Sequence, residues 1–257
     1  MGALELKTDL AIHSLDDLLK AIDIALDQAV AAGVVGLKVR LAYRRVLQFE
    51  KVVKADAERV LNMLNYYPRR TYNRPVQPPV SWSDAKPLQD YLMHHVIRRA
   101  IDHNLPIQVH TGLQDGNGNF LVNSNPLHLV NVFIEYPEAR FTLFHAGYPY
   151  RGETAALGKN FPNVYVDLCW VHIISPWVAR QTLHEWIELI PGNKIFAFGG
   201  DYTFVEGTYD HARMARENVA RVLTEKVETG YLTEDEAVTL AHQLLRNNAV
   251  QFFNLPV

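Results

Sequence analysis

The 257-residue sequence is short of several features, and each shortage excludes a class of protein. Its single cysteine, Cys169, excludes an internal disulfide framework and a zinc site built from several cysteines. No apolar run approaches the roughly 18 residues of a membrane-spanning helix, and the first residues lack a secretion-signal pattern. A formal charge of −3 leaves no basic excess for nucleic acid. We therefore expect a cytoplasmic protein whose partners are small molecules or other subunits, with no membrane association.

The first part of the chain shows helical periodicity. Apolar residues recur at helical spacing from Ser14 to Gly33, with Ser14 as the N-cap and Gly33 as the stop. Further helices are predicted at about 54–64 and 84–104. The stretch 66–82 is rich in proline and aromatics and poor in glycine and serine, which favours an ordered loop or lid.

From residue 105 onward, predicted strands alternate with predicted helices. The strands are 105–110, 141–145, 163–168 and 194–201, and GLKVRLAYRR at 36–45 is an earlier one. Each connection is long enough for a helical crossover, which predicts an α/β fold with parallel strands. Two long amphipathic helices are predicted to follow, at 210–230 and 233–253. We expect one domain over 1–257.

Three titratable residues are the last residues of predicted strands: His110, His145 and Asp201. Taken alone, a histidine at a strand end can also be half exposed and bonded to water or a carbonyl. However, parallel strands carry their carboxyl ends at one edge of the sheet, where active sites form. We therefore expect the three side chains to converge.

The first strand predicts a charged inner face. Period-2 alternation places Lys38, Arg40 and Arg44 on one side of the strand, and Gln108 has the same orientation on the next strand. Unpaired charges inside a sheet are costly, which indicates a binding site, although a solvated edge strand would show the same pattern. Lys38, Arg44 and Gln108 are accordingly candidate substrate-binding residues.

The strand-end residues also have the chemistry of metal ligands. Two imidazoles and a carboxylate suit Zn²⁺, and Mn²⁺ or Fe²⁺ are alternatives. A catalytic ion lowers the pKa of a bound water toward about 7, and a carboxylate such as Asp201 can then act as the base. This donor set predicts hydrolysis.

Other residues after strand ends are weaker candidates. Tyr148, Trp170 and His172 line a pocket or cap its rim, and Tyr148 is retained as a substrate-binding candidate. Cys169 has no evident base partner and is not expected to be a nucleophile. Three histidines in predicted helices are expected at the surface: His184, His211 and His242.

Five segments, in chain order, resemble the amidohydrolase superfamily of metal-dependent TIM-barrel hydrolases, including the domain fused to some glutamine synthetases. They are GLKVRLAYR, QVHTGLQDGNGN, FHAGYPYRGETAALGKNFPNVYVDL, KIFAFGGDY and RNNAVQFFNL. The resemblance implies a (β/α)8 barrel with His110 after the fifth strand, His145 after the sixth and Asp201 after the eighth. It implies that His110 and His145 bind metal, that His145 alternatively polarises substrate, and that Asp201 binds metal and accepts a proton from the attacking water.

The same resemblance places Lys38 near the fourth strand. A lysine there is carboxylated in binuclear members, whereas an unmodified ammonium would bind a substrate carboxylate. The neighbouring Arg40 and Arg44 favour the unmodified form and a small, carboxylate-bearing substrate.

The sequence departs from the family pattern in one respect, because it lacks the His-x-His pair of the first strand. Its strands correspond to about the last five β/α units, so we expect an incomplete barrel, either part of a longer enzyme or completed by another chain as a homo-oligomer. With fewer ligands, weaker metal binding and poor turnover are expected of this chain alone. A catalytically silent oligomeric subunit and a decarboxylase or uronate-isomerase-like enzyme remain alternatives to a hydrolase.

Overall fold

The computed structural model describes residues 2–66 and 81–256, which group into two compact units. The first unit comprises the described residues of Met1–Val35 and Gln48–Leu105, and the second comprises those of Gly36–Leu47 and Pro106–Val257. The predicted lid at 66–82 falls almost entirely outside the described residues. The expectation of a single domain stays a prediction.

The described part of the first unit is helical, as predicted. Its helices are α1 (Gly2–Thr8), α2 (Leu15–Ala31), α3 (Lys54–Tyr66) and α4 (Lys86–Asp102). Ser14 caps α2 through a reciprocal capping box with Asp17, and Gly33 follows the helix with φ 89°, which glycine adopts without a steric penalty. The apolar faces of these helices bury Leu15, Leu18, Val60, Leu61 and Leu88 in one core.

The second unit contains a parallel sheet whose strand order follows the chain order. The strands are β1 (Leu37–Val39), β2 (Ile107–Val109), β3 (Phe141–Leu143), β4 (Val164–Asp167) and β5 (Ile195–Phe196). The register aligns Lys38 with Gln108 and Gln108 with Thr142. Because all neighbours are parallel, the residues that follow each strand emerge at the same edge of the sheet.

The helices of the second unit confirm the predicted alternation. They are α5 (Val130–Glu135), α6 (Arg151–Asn160), α7 (Val171–Ile174), α8 (Pro176–Leu189), α9 (Val205–Glu228), α10 (Glu234–His242) and α11 (Asn248–Phe252). A 3-10 turn at Pro126–Leu129 leads directly into α5. Fully buried Trp186 of α8 packs with Val166 and Val219 in the core of this unit.

The first strand is shorter than its alternating pattern predicted. β1 ends at Val39, and Leu41–Tyr43 forms a 3-10 helix. Long-range contacts hold this turn: the Gln114 amide donates to the Ala42 carbonyl at 2.9 Å, and the Asp115 N–H donates to the Tyr43 hydroxyl at 3.0 Å. The strand geometry that predicted Arg44 on the same face as Lys38 therefore ends before Arg44, and this prediction is wrong.

A buried lysine caps the C-terminal end of α6. The Lys194 ammonium donates to the carbonyls of Gly158 and Phe161, each at 2.6 Å, near the end of the helix. Burial lowers the pKa of Lys194 to about 8, so the ammonium remains largely charged at pH 7. A cation at this position satisfies two terminal carbonyls and complements the helix dipole.

Replacing Lys194 with methionine is expected to lower the free energy of unfolding by about 2–3 kcal/mol, because two carbonyls lose a charged donor. Urea unfolding at pH 7 measures this loss. The control is Lys159→Met on the exposed side of the same helix, which should change stability little. Equal losses in the two variants would contradict the capping role.

Among the described residues, no helix combines the length and apolarity needed to cross a bilayer.

Candidate metal centre

Five of the seven predicted site residues line a cavity of about 930 Å³ within the second unit. Its wall includes Lys38, Gln108, His110, His145 and Asp201. Four of these five follow or belong to β1, β2 and β3, and Asp201 follows β5. The parallel sheet thus brings together residues that are far apart in the sequence.

The two histidines form a pair whose proton positions can be assigned from their partners. His110 Nε2 lies 2.8 Å from the Leu113 carbonyl oxygen, and His145 Nδ1 lies 2.9 Å from the Cys169 carbonyl oxygen. Because a carbonyl can only accept, both of these ring nitrogens are donors. The other two nitrogens, His110 Nδ1 and His145 Nε2, face each other at 3.2 Å.

Neither of the facing nitrogens carries a proton at neutral pH. Burial, together with a smaller effect of the neighbouring His145, lowers the pKa of His110 to about 3. Burial also lowers the pKa of His145 to about 4. Two neutral imidazoles therefore present lone pairs to each other, an arrangement that a cation between them would stabilise.

The separation fits a metal ion bound to both rings. Zinc binds imidazole nitrogen at 2.0–2.1 Å, so two such nitrogens on a tetrahedral ion lie about 3.3 Å apart. The measured separation of 3.2 Å is close to this value. The donor set of the chain accordingly fits a divalent ion of the zinc type.

Two further donors lie beside His145. Asp201 Oδ2 is 3.9 Å from His145 Nε2, and the Asp201 side chain is 47% exposed, so it is accessible from the cavity. Ligand atoms of His145, Cys169 and Asp201 all lie within 4.8 Å of one another, and this trio could hold a metal ion. The site therefore combines nitrogen, oxygen and sulfur donors.

Left-handed backbone conformations mark the turns that carry these groups. His145 and Ala146 have φ values of 60° and 51°, Trp170 has 67° and Asp201 has 51°. Residues other than glycine rarely adopt positive φ, and such conformations cluster at functional sites. The immediate turn after β3 thus holds the His145 ring against the sheet edge.

The wall of the cavity also carries cations. The Lys38 ammonium lies over the Phe144 ring, 3.1 Å from its centroid, and the Arg40 guanidinium lies 5.2 Å from the Tyr43 ring centroid. Desolvation lowers the pKa of Lys38, while the nearby Asp201 opposes the change. These cations make the cavity attractive to an anion.

Asp167 is a site residue that the sequence interpretation missed. It is the last residue of β4, lies in the cavity wall and accepts a hydrogen bond from the Cys169 N–H at 2.7 Å. Burial raises the pKa of Asp167 to about 7. The strand-end rule that selected His110 and His145 applies equally to Asp167 and would have found it.

Some sequence-based candidates lie elsewhere. Arg44 and Tyr148 are not among the residues that line the cavity: Arg44 is exposed beyond the 3-10 turn, and Tyr148 is half-buried after the turn at His145. His172 is buried, and its Nε2 donates to the Ala197 carbonyl at 2.7 Å. The surface assignment of His211 is wrong, because its side chain is 1% exposed.

An α/β fold of the (β/α)8 TIM-barrel type with a possible metal centre at its strand ends defines the class of this protein. A sequence profile described as amidohydrolase matches residues 16–255. The chain therefore belongs to the amidohydrolase family.

Individual relatives agree with this assignment. Protein fluG of Emericella nidulans is 30% identical over 238 residues, which are 89% of this chain and 26% of fluG. A Lactobacillus casei protein assigned as a metal-dependent hydrolase superposes with a TM-score of 0.79 at 22% identity, over 99% of this chain and 64% of that one. A uronate isomerase of Thermotoga maritima gives 0.79 at 17% identity, over 97% and 56% of the two chains. The two structural likenesses show the fold, and the chain spans only part of the length of each relative.

Proposed function

We propose that this protein is a metal-dependent hydrolase that acts on a small, carboxylate-bearing substrate. The observation that carries the proposal is the pair of unprotonated nitrogens, His110 Nδ1 and His145 Nε2, facing each other at 3.2 Å beside Asp201. Both rings are neutral at pH 7, so a cation bound between them would satisfy both lone pairs.

Zinc is the proposed ion, with manganese or iron as alternatives. His110, His145 and Asp201 would hold it, and imidazole nitrogen together with carboxylate oxygen suits zinc in a catalytic site. When bound, such an ion lowers the pKa of a water ligand toward about 7 and polarises a carbonyl.

Asp201 has the position of a general base. Its carboxylate is half exposed and reaches the cavity at the edge nearest His145. A carboxylate there can accept the proton of the attacking water and return it to the leaving group. His145 holds its orientation through the donor bond to the Cys169 carbonyl.

The cationic wall supports an anionic substrate. Lys38 and Arg40 both line the cavity, and Lys38 Nζ lies over an aromatic ring rather than in an ion pair within hydrogen-bonding distance of the described acids. An unmodified ammonium in this environment would bind a substrate carboxylate through a charge-assisted hydrogen bond. Gln108, aligned with Lys38 in the register, offers an amide beside it.

The proposed activity is tested by metal analysis and a substrate panel. We expect the metal-free chain to bind zinc in a micromolar titration, measured by equilibrium dialysis and plasma emission, and to hydrolyse a carboxylate-bearing lactone or amide slowly. Uronates belong in the panel because solved structures with this fold include uronate isomerases. A chelator should abolish turnover and zinc should restore it. A chain that binds no zinc from a micromolar solution would contradict the proposal.

Replacing Lys38 with methionine is expected to raise KM for the carboxylate substrate about 10- to 100-fold, since a hydrogen bond to a charged group contributes roughly 1.5–3 kcal/mol. The KM of an amide-capped analogue without the carboxylate should change little. Steady-state kinetics on both substrates measures this difference. The control Lys159→Met removes an exposed lysine from α6. Equal KM for the charged substrate in the Lys38 variant and the parent would remove the anion-binding role.

A further inference from the structure

Cys169 occupies a position fixed by two other residues of the site. It follows β4 directly after Leu168, and its side chain is 1% exposed. Its N–H donates to Asp167 at 2.7 Å, and its carbonyl accepts from His145 Nδ1 at 2.9 Å. The residue is therefore held by two cavity-lining side chains through its backbone. Burial and the nearby carboxylates of Asp167 and Asp201 raise the pKa of the thiol, so a thiolate forms here only when a cation binds beside it.

The thiol lies among metal-ligand atoms. Ligand atoms of Cys169, His145 and Asp201 are no more than 4.8 Å apart, and Cys169 lines the same cavity as both. On a tetrahedral zinc, with sulfur at 2.3 Å and nitrogen at 2.0–2.1 Å, the two ligands are about 3.6 Å apart. A shift of about 1 Å brings the trio to coordination distance.

A second feature of this position is the His145 ring. Its Nε2, on a side chain that is 4% exposed, lies 3.2 Å from His110 Nδ1 and 3.9 Å from Asp201 Oδ2. The ring nitrogen, the carboxylate and the thiol thus lie within reach of one ion.

Gly199 preserves the space that the thiol occupies. A Cβ at this position would lie 2.8 Å from Cys169 Cβ and 3.0 Å from Cys169 Sγ. Any larger residue would therefore displace the thiol, and glycine at 199 allows the segment carrying Asp201 to pass close to Cys169.

We propose that the Cys169 thiolate is a ligand of the ion, together with His110, His145 and Asp201, and that the ion would expand to five ligands when the attacking water binds. The assignment rests on the metal centre proposed above, to which it adds a sulfur donor. On binding, the S–H bond breaks, the sulfur lone pair forms the bond to the ion, and the proton passes to solvent. A soft thiolate selects zinc, cobalt or iron over manganese and magnesium.

Cobalt(II) is the probe that tests this assignment on the full chain. Because Cys169 is the single cysteine of the sequence, a sulfur-to-cobalt charge-transfer band in the near ultraviolet can arise from this residue alone. We expect the band to appear as cobalt is titrated into metal-free protein. Visible ligand-field bands and equilibrium dialysis report cobalt binding separately, so the assignment does not depend on turnover.

Two variants complete the experiment. Cys169→Ser should lose the charge-transfer band and bind cobalt at least 10-fold more weakly, while circular dichroism reports whether it folds. Gly199→Ala keeps the thiol but displaces it, so the band should weaken or shift. His184→Ala is the control: it removes a partly exposed imidazole, paired with Glu225 at 2.8 Å, and should leave the band intact.

The outcomes separate this assignment from the function on which it rests. Cobalt binding to the parent chain without a charge-transfer band overturns the role of Cys169 and leaves the metal centre standing. Absence of any cobalt or zinc binding overturns both. A band in the parent that persists in Cys169→Ser would also overturn the assignment, because sulfur could not be its source.

Discussion

Replacing His145 with asparagine is expected to lower kcat on the order of 10³-fold and to remove most of the bound zinc. The substitution deletes Nε2, the nitrogen that faces His110 at 3.2 Å and Asp201 at 3.9 Å. A catalytic ion contributes several kcal/mol to stabilising the transition state, and each 1.36 kcal/mol is a factor of ten in rate.

Asparagine suits this position for two reasons. It tolerates the left-handed backbone at φ 60°, and its amide nitrogen can donate to the Cys169 carbonyl as His145 Nδ1 does. The variant therefore removes Nε2 while it keeps the turn after β3 intact. Metal content by plasma emission and kcat are measured together, with His184→Ala as the histidine control. Unchanged zinc content in the asparagine variant would exclude His145 as a ligand.

The convergence of the site was predictable from the sequence because it follows from a rule of topology. Parallel strands in chain order place His110 and His145 at one edge, and the same rule applies to Asp201 after β5. Helix α2 was equally predictable, since Ser14 and Gly33 are local signals that act within a few residues. The prediction of α2 depends on residues that are close in sequence, and the prediction of the site depends on the direction of the strands.

Features set by long-range contacts were not predictable from the alternating pattern. The turn after β1 depends on Gln114 and Asp115, each 72 residues from its partner, and it moves Arg44 away from the cavity. Cys169 lacked an evident partner in the sequence because His145 and Asp201 approach its thiol only in the fold. The periodic pattern treated His211 as a polar surface residue, yet α9 buries it.

The buried ring of His211 lies in an apolar and aromatic environment. Neither ring nitrogen has a hydrogen-bond partner in the described part of the chain. The ring lies 5.2 Å from that of Phe198 and 5.8 Å from that of Tyr202, measured between centroids. Burial, together with a smaller effect of His172, whose ring centroid is 5.7 Å away, lowers the pKa of His211 to about 4.

Because the ring of His211 is buried and neutral, the free energy of unfolding falls with pH between about pH 6.5 and pH 4. In the unfolded chain a histidine has a pKa of about 6.5, so between that value and about 4 the unfolded state binds a proton that the folded state does not. The contribution of His211 to stability is therefore complete above about pH 6.5 and is lost as the pH falls toward 4. The linkage amounts to about 2 kcal/mol at pH 5 and about 3 kcal/mol at the lower limit.

Replacing His211 with leucine should remove this part of the acid sensitivity. The unfolding free energy of the variant minus that of the parent should be about 2 kcal/mol larger at pH 5 than at pH 8, because leucine cannot bind the proton. Urea unfolding of metal-free protein at the two pH values measures the difference, and the acid loss from His110 and His145 cancels because it is common to both proteins. Phe198→Leu alters the same packing without removing a titratable group, so its stability relative to the parent should be the same at both pH values. An equal gain in the two variants would assign the effect to packing instead of protonation.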